Sequence, residues 1–597
     1  MKTKLIFYLN FAFIRLLLVV LLVFQFGCSE PSGESLQLKY EENESVTYDE
    51  AIAYYQKLDK EFKTARLFTY GMTDIGKPLH LFVISNNKDF NPENLRKKNK
   101  RIILINNGIH PGEACGIDAS LKFADDILKN KNDLLRYLDN TVICIIPIYN
   151  IGGALNRNPY HRLNQDGPKE CGFRGNAKNL DLNRDFIKND TENAKSFAMI
   201  FHHWKPDVFL DTHTTNGADH KYTITLIATQ HNKLHPILGD YLNNEMLPEL
   251  FRKMEKGPYE MTPYVNSMFR TPDKGIAGFL ETGKFSSGYA ALFNTFSFMT
   301  ENHAYKPFRD RVLSVYHFMI SLTEFTSENA EKIGELRVKA NKEIMTQTEF
   351  PLTWAIDTTK FDTIKFKGYK RKYKPSLYSE RQTFYYDRED PFEKNIRYYK
   401  YFKPVTIVNK PEMYIIPQAW QKVIERLKIN DVKMKRLSKD TTITVETYYI
   451  TDYQTLSRPY NGHFVHSNVQ TRSEIQKIKF YKDDYVIPVN QPTNRYIVET
   501  LEPKAADSFF SYNFFDSMLA RRGFYFLGFF EKKAFELLDE NPNLKEKFEN
   551  LKKEDAEFAE NHYAQLRFIY ENSPYLEKTY NRYPVFRLNK KEPIPVM

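Results

Sequence analysis

From about residue 48 to 325, short and nearly unbroken apolar runs alternate with segments of helical period. The runs RIILIN at 101–106, TVICIIPIY at 141–149 and DVFLD at 207–211 are rich in β-branched residues and lack the polar alternation of a one-sided strand. They predict strands covered on both faces. Between them, 114–130 sets Ala114, Ile117, Leu121, Ala124 and Leu128 on one helical face. The stretch 191–204 does the same with Ala194, Phe197, Ala198, Phe201 and Trp204. Strand and helix in turn predict an α/β domain over 48–325, a mixed, mostly parallel sheet flanked by helices.

After residue 325 the pattern changes. A charged amphipathic helix is predicted at 326–346, then exposed or edge strands in the Tyr-, Lys- and Arg-rich stretch 365–403 (KGYKRKYKPSLY, RYYKYFKP). TTITVETYYI at 441–450 alternates as a half-buried strand does, and 531–570 is charged and helical. Residues 340–597 therefore read as a separate α+β, β-rich accessory module with no repeat or low-complexity tract.

The amino terminus reads as an address. A basic stretch ending at Arg15 precedes LLLVVLLVF at 16–24, the length of a signal-peptide apolar region, so 1–27 is expected to be a signal peptide. Gly27-Cys28 followed by a polar tether resembles a bacterial lipoprotein cleavage site, with Cys28 as the lipidated residue and Gln25 as a departure from its usual small or aliphatic residue. The alternative is an uncleaved anchor, against which the interruptions at Asn10 and Arg15 count. Either way the chain is expected to be exported to the cell envelope, in the periplasm or at the outer membrane, and held at a membrane by this segment.

With 597 residues, 42% of them hydrophobic, the chain can bury a sizeable core, and its length suggests two or more domains. A net charge of +10 without a basic stripe or glycine-rich aromatic motif argues against nucleic-acid binding. Beyond Cys28 there are Cys115, Cys144 and Cys171, too few for a disulfide framework and wrongly spaced for a zinc knuckle. They are expected to be buried thiols.

Four stretches carry candidate chemistry. In HPGEACGID, Pro111 disfavours the helical conformation at His110, while Glu113 falls in the first turn of the following helix, so both side chains can converge at a strand's carboxyl end. In PDVFLDTHTTNG, His213 again follows a strand, and in open α/β sheets ligands bind outside those ends. Two imidazoles and one carboxylate leave one tetrahedral position open, the pattern of catalytic zinc. His202, His203, His220, His231 and His235 rank lower because they fall within a helix or in irregular sequence. In RGNAKNLDLNRDF, Arg174, Asn183 and Arg184 supply donors suited to a carboxylate or an oxyanion, with Asp181 among them. FSFMTENHAY ends a strand-like run at Glu301, a carboxylate able to shuttle a proton, and Glu281 in GIAGFLETGK is its rival. His463 and His466 in NGHFVH suggest a second metal site less strongly than a structural pair.

Together, in this order, HPGE, RGNAKNLDLNRDF, the strand ending in THT and the glutamate after a later strand resemble the zinc metallocarboxypeptidases, the carboxypeptidase A-like peptidases, over about residues 48–325. The resemblance implies one Zn2+ held by His110, Glu113 and His213, with Asp181 orienting His110. It implies Arg174 as oxyanion donor, with Arg162 as second candidate, Asn183 and Arg184 as the grip on a substrate's terminal carboxylate, Glu301 as general base and acid, and Tyr289 in SSGYAAL as a substrate-capping tyrosine. The implied function is removal of C-terminal amino acids from peptides. A zinc amidase or deacylase acting on cell-wall peptides or acylated amino acids is the alternative, and a peptide- or glycan-binding lipoprotein is a further one. Asp185 departs from the family, whose best-known peptidases carry Asn there, and the large carboxyl-terminal module is absent from minimal members.

Overall fold

Strand after strand, the apolar runs of the sequence meet in one sheet. The computed structural model describes residues 38–523 and 526–597, so the expected signal peptide and Cys28 lie outside the described residues. Eight strands, β1 (Ala65–Met72), β2 (Pro78–Ile84), β3 (Arg101–Asn106), β4 (Thr141–Ile146), β5 (Val208–Thr215), β6 (Ile224–Ala228), β7 (Met261–Pro263) and β8 (Phe296–His303), form a sheet in the order β1-β2-β4-β3-β5-β8-β6-β7. The four central strands pair in parallel, β4 with β3, β3 with β5 and β5 with β8. The flanking β1–β2, β2–β4 and β8–β6 pairs are antiparallel. The fold is thus the expected mixed, mostly parallel α/β sheet.

Every residue of β3 and β4 is buried, which is why both read as continuous apolar runs. Alternate residues serve one face: Ile102 and Leu104 of β3, Val142, Cys144 and Ile146 of β4, and Phe209 of β5 pack with Phe197, Phe201 and Trp204. These last three belong to a helix over Glu192–Trp204, whose Thr191 cap accepts from the Ala194 N–H. A second helix, Cys115–Leu128, packs on a third, Phe308–Glu328. Gly116 lets the Cys115 helix lie against β5, since a Cβ there would come within 2.0 Å of Thr212 Oγ1. The helix expected over 326–346 begins at Ala330 and ends at Thr346, Asn329 having closed the preceding one.

Beyond it, where exposed or edge strands are expected at 365–403, two long antiparallel strands, β9 (Asp362–Pro375) and β10 (Gln382–Tyr399), pair as a hairpin. A six-stranded sheet follows, containing the hairpin of β11 (Thr441–Thr455) and β12 (His466–Phe480), and four helices cover Leu527 to Glu571. The core does not stop at residue 346. One cluster of buried side chains runs from Leu79 through Tyr289, Tyr414 and Tyr496 to Val585. Among the described residues no helix is long and apolar enough to cross a membrane. Cys115, Cys144 and Cys171 are free and buried.

Candidate active site

The sheet's carboxyl ends carry the chemistry. After β3 the chain turns at His110–Glu113, closed by a hydrogen bond from the Glu113 N–H to the His110 carbonyl (2.8 Å). Only glycine fits at 112, where a Cβ would lie 2.9 Å from both the Gly172 carbonyl oxygen and Arg162 Cγ. His213 sits in β5 and is the register partner of Glu301 in β8, so parallel pairing alone sets these two side by side. His110, Glu113 and His213 are buried, and one ligand atom from each lies within 4.8 Å of the others.

Both imidazoles are oriented alike. His110 Nε2 lies 3.0 Å from Asp181 Oδ1, and its Nδ1 3.2 Å from Glu113 Oε1. His213 Nε2 lies 2.9 Å from Asp211 Oδ2, and its Nδ1 3.2 Å from Glu113 Oε2. A carboxylate at each Nε2 favours a proton there and leaves the Nδ1 lone pair free, so two nitrogens and Glu113 converge as the donor set of a zinc site requires. The residues fit the ion. Asp181 stands where the resemblance put it, and Asp211 is its unforeseen counterpart on His213. A strand interior gave no signal that Asp211 would point the same way as His213 two residues on, although the period of two allows it.

Charge in the pocket is shared tightly. Burial alone would raise the Glu113 carboxyl, but His110 and Arg162 beside it, with His213 close by, hold it well below the usual carboxylate range. Arg162 donates to Glu113 Oε1 (2.8 Å) and to the Thr214 carbonyl (3.1 Å). Arg174 donates twice to Asp181 Oδ2 (3.1 and 2.9 Å), and its third nitrogen lies 3.3 Å from Glu113 Oε1. Of the two arginines Arg174 is the more open, its side chain 44% exposed against 16% for Arg162. Glu301 lines the same cleft. Loss of water, above all, pushes its carboxyl up to about 7, with Glu113 and Asp211 adding to the rise and His213 and His110 opposing it.

The cleft, about 250 Å³, is lined by His110, Glu113, Arg162, Arg174, Asn183, Arg184, His213 and Glu301 on its polar side. Thr214, Thr215 and Asn216, with Ile227, Tyr264, Phe279, Phe285 and Met299, form the rest of its wall. Asn183 is held by the Ser286 N–H, which donates to its Oδ1 at 3.2 Å, and its Nδ2 lies 3.4 Å from His213 Nε2. Asp185 turns away from Arg184: fully buried, it accepts from Lys188 Nζ (2.8 Å), Thr191 Oγ1 (2.6 Å) and the N–H groups of Asp190 and Thr191. Its extra charge is spent on that loop and leaves Arg184 unopposed.

One expected residue is corrected. Tyr289 does not reach the cleft: it is fully buried in the core, donates to Asn430 Oδ1 (2.6 Å) and lies 2.9 Å from His202 Nε2. The short helix Ser286–Ala291 that carries it is buried along its whole length, so a tyrosine there cannot swing over a substrate. The tyrosine on the cleft wall is Tyr264, whose hydroxyl lies 3.3 Å from Thr215 Oγ1. Glu281 is also elsewhere, buried and accepting the Gln230 N–H at 2.6 Å. His463 and His466 part company, toward Asp190 and Asp516.

Residues 51–222 match the model of the zinc carboxypeptidase family. Carboxypeptidase 2 of Trichophyton equinum and of Trichophyton rubrum are each 20% identical, over 69% of this chain and 73% of theirs. A metallo-carboxypeptidase structure from Burkholderia cenocepacia superposes with a TM-score of 0.35 at 15% identity, covering 48% of this chain and 70% of that one. Carboxypeptidase A from Helicoverpa armigera gives 0.32 at 18%, over 50% and 74%. The matched segment spans both histidines, Glu113 and the arginine loop, so the residues that carry the metal-binding set, 51–222, match a zinc carboxypeptidase domain.

Proposed function

We propose that the enzyme removes single residues from the carboxyl ends of peptides, with His110, Glu113 and His213 holding the zinc, Glu301 moving the proton and Arg184 reading the terminal carboxylate. The observation that carries this reading is the convergence of both Nδ1 atoms and Glu113 on a cleft that also holds Glu301, Arg174 and Arg184. Held by His110, Glu113 and His213, zinc would supply a Lewis acid able to acidify water and polarise the scissile carbonyl. Glu301, on the cleft wall beside His213, accepts the proton of the attacking water and returns it to the leaving amine. Arg174 offers its free N–H groups to the oxyanion as it forms. Arg184, with Asn183 beside it, pairs with the terminal carboxylate, and the side chain of the departing residue lies against Ile227, Phe279, Phe285 and Met299. That wall favours apolar terminal residues. Export and anchoring through Cys28 are part of the same proposal and rest on the amino-terminal pattern alone; mass spectrometry of the mature chain reads them directly.

A peptide-library digest followed by mass spectrometry, with and without chelator, tests the reaction. The expected result is metal-dependent loss of single C-terminal residues, apolar ones first. Glu301→Gln should retain zinc and lose more than about 10³ in kcat, and Arg174→Ala should lose about 10²–10³. Cleavage that ignores the carboxyl end, or full activity in Glu301→Gln, would overturn the reading.

A further inference from the structure

The hairpin of β11 and β12 runs on past its ladder to a tight turn at Tyr460–His463. The Tyr460 N–H donates to the His463 carbonyl (2.8 Å) and the His463 N–H to the Tyr460 carbonyl (3.1 Å). Between them Asn461 and Gly462 both take positive φ, 48° and 86°, the type I′ geometry that Asn-Gly serves best. This turn belongs to the carboxyl-terminal module, yet it touches the arginine loop of the active site at two points. Arg184 Nε donates to the Tyr460 hydroxyl at 2.7 Å, and the Asp181 N–H donates to Asn461 Oδ1 at 2.7 Å. A third tie lies behind, where His463 Nε2 sits 2.6 Å from Asp190 Oδ2, a carboxylate that also takes Lys188 Nζ.

Arg184 is thereby fixed on all sides but one. Its guanidinium carbon lies 4.5 Å above the Phe285 ring, one terminal nitrogen donates to the Asn183 carbonyl (2.8 Å), and Nε is taken by Tyr460. The other terminal nitrogen has no partner among the described residues, and Arg184 lines the cleft. A free arginine samples many rotamers, and orienting it costs binding energy each time a ligand arrives. A donor set already aimed avoids that cost.

We propose that Tyr460 is a positioning residue for Arg184, and that the Asn461-Gly462 turn of the carboxyl-terminal module completes the subsite for the substrate's terminal carboxylate. This rests on the assignment of Arg184 as the carboxylate grip. Tyr460 acts through Arg184: it holds Nε so that the free nitrogen meets the carboxylate, while Asn461 pins the backbone of Asp181, the residue that orients His110.

The test is binding without turnover. Zinc-loaded full-length Glu301→Gln is titrated calorimetrically with N-acetyl-phenylalanyl-phenylalanine and with its C-terminal amide, and the titrations are repeated in Glu301→Gln with Tyr460→Phe. The background variant should prefer the acid over the amide. Tyr460→Phe, which keeps the ring, should weaken the acid roughly five- to tenfold and leave the amide within about twofold, because a hydrogen bond to a charged group is lost. A general loosening would weaken both ligands alike. An unchanged acid-to-amide ratio in the double variant overturns the proposal while the carboxylate grip stands. If the background variant itself fails to prefer the acid, the grip assignment is wrong and the proposal falls with it.

Discussion

At the scale of single residues, motif and geometry agree wherever a side chain's place is set by its neighbours in sequence. His110 and Glu113 are locked by a three-residue turn, and His213 and Glu301 by their positions at the ends of adjacent strands, so their convergence could be argued from HPGE and DTHT. Tyr289 and Tyr264 differ in that respect. Which tyrosine reaches the cleft depends on how the loops after β7 pack, and nothing in SSGYAAL or TPYVNS distinguishes a buried ring from a lining one. Tyr289→Phe keeps the ring and removes its hydrogen bonds to Asn430 and His202. The expected outcome is a loss of about 1–2 kcal/mol in stability, read by denaturant unfolding, with kcat/KM on a C-terminal peptide within about twofold of wild type. A large loss of kcat/KM at unchanged stability would restore Tyr289 to the site.

At the scale of elements, the strands were the most legible, since β3 begins and ends where the apolar run does and β5 continues only a few residues past it. What the pattern could not reveal is the polar cost inside an apolar face. Asp118 lies on the Cys115–Leu128 helix, fully buried; one carboxylate oxygen accepts the Val46 N–H at 3.3 Å and the other has no hydrogen-bond partner. Loss of water dominates there and pushes the carboxyl up to about 8, against 3.8 for an ordinary aspartate. Because the folded chain binds this proton more tightly than the unfolded one, the group's contribution to stability is fully present below about pH 4 and is lost as pH rises through about 8. Asp118→Asn removes that titration. The variant should therefore gain melting temperature relative to wild type between pH 5 and pH 8, as differential scanning fluorimetry across that range would read. A constant difference between the two proteins would show that Asp118 is ionised in the fold throughout.

At the scale of the whole molecule, the boundary suggested by the change of pattern near residue 325 is crossed repeatedly by side chains that sequence distance hides. The Tyr496 hydroxyl donates to the Ile187 carbonyl, Arg495 to the Ala291 carbonyl, and the Lys284 N–H to Asp507. Asn430 takes the hydroxyl of Tyr289, and Arg426 donates to the Lys188 carbonyl. These partners stand from about 140 to more than 300 positions apart, so no local period could announce them, and the aromatic richness of the chain gave only the hint that packing was extensive. A core shared in this way has consequences for how the chain unfolds. Cutting after Thr346 would bare the apolar faces that Tyr414, Tyr496 and Phe509 cover and would leave buried carbonyls without their donors, each costing about 1–3 kcal/mol. Residues 38–597 should therefore melt in one calorimetric transition, raised by zinc as a whole with the logarithm of the free-ion concentration. A 38–346 fragment should be expanded and bind zinc weakly if at all. Two resolved transitions, with only the first responding to zinc, would mean that the catalytic sheet keeps its fold without the module; the contacts of Tyr460, Asn430 and Tyr496 would then be a docked interface instead of a common core.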